Sequence, residues 1–201
     1  MLTMLTMQPE VLLRATSLSL LTLFLGDAGA GEQKPLPTCL VGVCVGQKAP
    51  TESSLRKQFG GQSFALGHRV RGYCYELRSN DQAGHLLFAL KNFGDGWRVV
   101  TIRVAGRPLC AKPAPLKKPI KLSTGEGVVL NGTARSVRAT YGEPSHTLDP
   151  QSRDLTIGLN LKGERIDSAL QYVPADVSIA LSAIFVISAD RVVAIEVSAD
   201  I

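Results

Sequence analysis

Residues 98–104 read RVVTIRV and residues 191–197 read RVVAIEV, so one chain carries nearly the same strand twice. Internal self-similarity constrains a fold more than any single motif, because each copy must bury the same apolar face. The match extends upstream. LRKQFG (55–60) is matched by VRATYG (137–142), and Tyr75 in GYCYEL by Tyr172 in ALQYVP. The apolar strand HLLFAL (85–90) is matched by VSIALSAIFVI (177–187), in the same order. Between the copies lies AKPAPLKKPIK (111–121), whose prolines remove backbone donors and disfavour helix in the residues before them. The pattern predicts two tandem domains, residues 31–110 and 120–201, joined by a Pro/Lys-rich linker at 111–119.

Each half carries one helical signal followed by strands. In the second, Thr133 caps a short helix with Ala134, Val137 and Tyr141 on one face, ended by Gly142 with Pro144 just beyond. In the first, Thr51 caps a turn or two carrying Leu55 and Phe59, ended by Gly60-Gly61. Helices this short need a surface to pack on. LTIGLNL (155–161) alternates strictly and is turned by Lys162-Gly163-Glu164 into RIDSALQYV (165–173), the pattern of a sheet with one buried side. The last two strands turn at Ala189-Asp190, and their first-half counterparts at Gly94-Asp95-Gly96. The expected class is α+β: two tandem small domains, each a short helical segment packed on a three- or four-stranded antiparallel meander.

The apolar run Leu18–Leu25, followed by Gly26 and the small-residue stretch Asp27-Ala28-Gly29-Ala30, has the form of a secretory signal peptide over residues 1–30, with periplasmic or secreted localisation and no membrane span. The run is about half the roughly 20 apolar residues a spanning helix requires. Cleavage removes Arg14, Glu10 and Asp27, so 22 basic against 17 acidic side chains becomes 21 against 15, a net +6. The densest basic cluster, Lys112, Lys117, Lys118 and Lys121, has no interleaved aromatics, which argues against nucleic acid and leaves an acidic partner surface open. Four cysteines in an exported chain predict two disulfides. Three pairings exist, and locality favours Cys39 with Cys44 and Cys74 with Cys110.

NGTARSVRATYGEP (131–144), then a Tyr-containing strand and the closing strand DRVVAIEV (190–197), resembles the small periplasmic domain of the BamE/SmpA outer-membrane assembly lipoproteins. Tandem duplication with cysteines in an exported protein is also similar to the β-lactamase inhibitor proteins. The resemblance covers most of residues 120–201, and in the first half FGG stands where the second has YGEP. It implies a non-catalytic protein-binding module of inhibitor, immunity or assembly-adaptor type, with no cofactor and another envelope or secreted protein as partner.

Chemistry-bearing patterns are sparse. His68, His85 and His146 stand in no metal-ligating spacing, and the cysteines form no C-x-x-C, so neither a metal nor a catalytic set is assigned. Ser63 in GQSFA lacks the second glycine of a nucleophile elbow. The competing reading is an envelope hydrolase or thiol redox enzyme whose site is dispersed in sequence. Tyr75 matches Tyr172 across the repeat and therefore reads as packing, whereas Tyr73 and Trp97 have no matched aromatic and are the candidate partner-binding residues.

Overall fold

The two copies of the repeated strand lie side by side. The computed structural model describes residues 36–46, 49–78, 83–116, 118, 120–149, 165–174 and 180–200. The signal-peptide expectation and the strand and turn expected over 155–164 fall outside them. In chain order the elements are β1 (Cys39–Leu40), β2 (Val43–Cys44), α1 (Glu52–Phe59), β3 (Phe64–Gly67), β4 (Val70–Arg78), β5 (Ala83–Asn92) and β6 (Trp97–Ala105). They continue with β7 (Ala114–Pro115), α2 (Ala134–Tyr141), β8 (His146–Leu148), β9 (Ser168–Tyr172), β10 (Ala180–Ser188) and β11 (Arg191–Asp200).

The strands form one nine-stranded sheet in the order β3-β4-β5-β6-β11-β10-β9-β8, with β7 parallel to β4, beside a separate β1–β2 hairpin. The seam is β6 against β11, antiparallel, pairing Thr101 with Ser198, Ile102 with Val197, Arg103 with Glu196, Val104 with Ile195 and Ala105 with Ala194. The expectation of two tandem α+β domains is therefore corrected. Sheet dominates, the helices are two eight-residue segments, and the strands of both halves belong to one sheet. A half standing alone would end in a nine- or ten-residue strand with its outer N–H and C=O groups unpaired. Pairing the two ends satisfies those groups and buries Ile102, Val104, Ile195 and Val197, each contributing roughly 1.5–3 kcal/mol.

The halves nonetheless follow one local plan. Thr51 Oγ1 accepts from the Ser54 N–H at 3.3 Å and Thr133 Oγ1 from Ser136 N–H at 3.1 Å, so each helix is capped by the same side chain at the same offset. Gly60 and Gly142 close them with left-handed φ of 73° and 82°, each donating its N–H to the carbonyl four residues back at 2.8 Å. Leu55 and Phe59, and Val137 and Tyr141, point into the core. An aromatic trio then locks each helix to the sheet. Phe59, Tyr75 and Phe88 have ring centroids 5.0–6.0 Å apart, and Tyr141, Tyr172 and Phe185 5.5–5.7 Å apart. The Tyr75 hydroxyl donates to the Gly60 carbonyl at 2.7 Å and the Tyr172 hydroxyl to that of Gly142 at 3.1 Å, so each buried tyrosine satisfies its polar end on the helix terminus.

One apolar cluster runs beneath both helices, from Leu55, Phe59 and Phe88 to Tyr141, Phe185 and Val192, and a smaller one on the opposite face holds Ala105, Ala169, Val186 and Ala194. The residues from Gln33 onward form one compact unit. Both disulfides are present, Cys39–Cys44 across the β1–β2 hairpin and Cys74–Cys110. The first hairpin is stitched to the second half, with Val41 N–H donating to Ser123 O and Gly125 N–H to Cys39 O. The second disulfide ties the 111–119 segment to the sheet. There Ala114 and Pro115 pair with Tyr75 and Glu76 of β4, while Leu116 and Ile120 pack on the core.

Candidate functional site

Strand β3 ends the sheet, and residues 61–69 around it are all exposed. Phe64 and Leu66, 36% and 42% exposed, are the large apolar side chains left in solvent among the described residues. Both lie on one face, over Gly72 of β4, with the β3–β4 register shifting at Leu66. Gly72 of β4 makes room for them, since a Cβ there would sit 2.7 Å from Phe64 Cζ and 2.9 Å from the Leu66 side chain. The β3–β4 turn sets Arg69 in the left-handed region at φ 56°, which holds its exposed side chain at the mouth of the same corner.

Two clefts meet at Phe64. The larger, about 760 Å³, is walled by Ser63, Phe64, Ala65, Arg69, Arg71 and Trp97. The smaller, about 440 Å³, runs from Ser63 and Phe64 to Leu109, Cys110 and Lys112, so the Cys74–Cys110 disulfide fixes its far wall.

The two residues expected to bind a partner are linked through one ion pair. Tyr73 is 1% exposed and donates its hydroxyl to Glu52 Oε1 at 2.6 Å. Burial, and then that carboxylate, push its pKa upward. Arg71 Nη1 lies 3.3 Å from Glu52 Oε2, and its guanidinium sits 4.2 Å from the centre of the Trp97 ring. Tyr73 thus serves the core and anchors Glu52, which holds Arg71 over Trp97. Trp97 stands half-buried at the rim of the larger cleft.

Strand β3 is not among the strands expected from the sequence, where Ser63 in GQSFA stands only as an incomplete nucleophile elbow. Its signal was nevertheless present. Phe64 and Leu66 alternate between a helix-ending glycine pair and the Gly67-His68-Arg69 turn. Counted from the helix-ending glycine, His146, Thr147 and Leu148 of β8 occupy the corresponding places. His146 and Thr147 are exposed polar residues, and Leu148 packs on the smaller cluster.

Among the described residues no group of His, Cys, Asp or Glu is placed to hold a metal ion, and no helix is long and apolar enough to cross a membrane. All four cysteines are in disulfides. No protein-family model, curated protein or solved structure matches the chain.

Proposed function

We propose that this chain is an exported, non-catalytic protein-binding module of the cell envelope, of inhibitor, immunity or assembly-adaptor type, which meets its partner at the β3 corner. The observation that carries this reading is the exposure of Phe64 and Leu66 beside Trp97, in a fold whose other large apolar side chains, among the described residues, are at least partly buried. Exposed apolar side chains grouped beside a cleft mark an interaction surface more often than a packing accident. Two disulfides support the exported compartment. The pairing of every cysteine leaves no thiolate for the competing redox chemistry.

The test is site-specific photocrosslinking from position 66 in the full exported chain within cells, with Phe64→Ser as the matched variant. Phe64 is only partly covered, at 36% exposure, so its replacement by serine should lower the thermal midpoint by about 2–8 °C and leave a single cooperative transition. The expected result is one stoichiometric crosslinked partner that disappears in Phe64→Ser. A chain that crosslinks to nothing, or identically with and without Phe64, overturns the reading.

A further inference from the structure

We infer that β3 takes up an extended, acidic segment of the partner as an added strand, an inference that rests on the protein-binding reading above and names the form its partner presents. Among the described residues no strand lies beyond β3, so its outer backbone groups form an open template. The four residues Phe64–Gly67 span about 14 Å of extended chain, enough to pair four or five residues of an incoming peptide. Phe64 and Leu66 present apolar surface together on one face of this edge, where alternate side chains of such a peptide would meet it.

The charge of the corner selects the peptide. Arg69, Arg71 and Lys112 stand in the walls of the two clefts, and among the described residues no carboxylate lines either. Glu52 answers Arg71, whereas Arg69 and Lys112 have no ion-pair partner among the described residues. The corner therefore draws an acidic chain. A second copy docking through the same strand would bring two basic corners together, in a protein whose net charge is already +5. The duplicated plan sharpens the point. The corresponding strand β8 presents His146 and Thr147 where β3 presents Phe64 and Ala65, so folding of this plan does not require an apolar edge at that place.

The experiment uses the full exported chain and a fluorescein-labelled decapeptide of alternating valine and glutamate, read by fluorescence anisotropy. Two further peptides carry N-methyl groups on the odd or on the even residues, and a fourth replaces glutamate with lysine. An added strand hydrogen-bonds through alternate residues only. One methylated peptide should therefore lose about tenfold or more in affinity while the other stays within about threefold. The lysine peptide should bind at least about tenfold more weakly, as should the acidic peptide to Phe64→Ser or Arg69→Glu. Amide exchange at Phe64–Gly67 should slow when the acidic peptide is bound.

Equal loss with both methylated peptides, indifference to peptide charge, protection away from β3, or no binding would overturn strand addition. Self-association of the chain that Phe64→Ser abolishes would overturn the choice of occupant in favour of a second copy. If strand addition fails while the photocrosslink from position 66 persists, the protein-binding reading stands without it. If both fail, both fall.

Discussion

Replacing Phe185 with alanine separates a single cooperative sheet from two independent halves. Phe185 is fully buried, with the Tyr141 and Tyr172 rings 5.5 and 5.7 Å away. Truncating a buried phenylalanine costs about 3–5 kcal/mol through lost transfer energy and the cavity left behind. For a unit of this size each kcal/mol lowers the melting temperature by roughly 2–4 °C, so the expected fall is about 6–20 °C. The informative probe is Trp97, the only tryptophan, which lies in the other half of the sheet. Because β6 and β11 share a ladder and the main apolar cluster runs through both halves, Trp97 fluorescence should report the same lowered midpoint as far-UV circular dichroism. Calorimetry should show one transition. If Trp97 keeps the wild-type midpoint while the dichroism splits into two steps, the shared core is not the unit of stability and the reasoning fails.

Burial of Tyr172 pushes its pKa from 10.0 to about 12, with Arg138 opposing and Glu143 adding to the rise. A folded pKa above the unfolded one means that this contribution is complete below pH 10 and lost as pH climbs to 12. Tyr172 alone should account for about 2–3 kcal/mol of the stability lost across that window, in addition to losses from Tyr73, Tyr75 and Tyr141, whose pKa values burial also raises, and the Tyr172→Phe variant should show a shallower decline in urea midpoint. Removing the Cys74–Cys110 bridge as the double serine variant opens a loop of sequence separation 36 and should cost about 4 kcal/mol in denaturant unfolding, and reduction of wild type, which also opens Cys39–Cys44, should cost more. A Cβ at Gly84 would sit 2.7 Å from the Leu122 side chain and 3.1 Å from the Ala105 carbonyl, so Gly84→Ala should destabilise by about 1–3 kcal/mol. Gly67→Ala, with open space around it, should change the midpoint by less than about 0.5 kcal/mol.

Local signals were legible because they act over a few residues. Thr51 and Thr133 announced their caps, Gly60 and Gly142 their helix ends, and the Tyr75–Tyr172 match its shared packing role. Cysteine proximity in sequence pointed to both bridges. The partnership of β6 with β11 was not read, since strand pairing across 93 residues leaves no mark in periodicity. One trace of it did exist. The two copies of the strand differ in charge at a single place, Arg103 against Glu196, and those residues meet at 2.5 Å across the seam. The corner site was hidden for a different reason. Tyr73 and Trp97 were singled out for lacking counterparts, but lack of a counterpart says nothing about depth, and Tyr73 is buried on the α1 side of the sheet with its hydroxyl on Glu52.

The Arg103–Glu196 contact marks the one place in that register where a residue faces its own duplicate. Two identical half-length polypeptides joined by the same strands would set arginine against arginine there, or glutamate against glutamate, and like charges directly opposed loosen a ladder. Opposite signs are available only when both copies are encoded in tandem and free to diverge. The pair therefore gives the tandem chain a seam that two identical halves could form only by placing like charges at its centre.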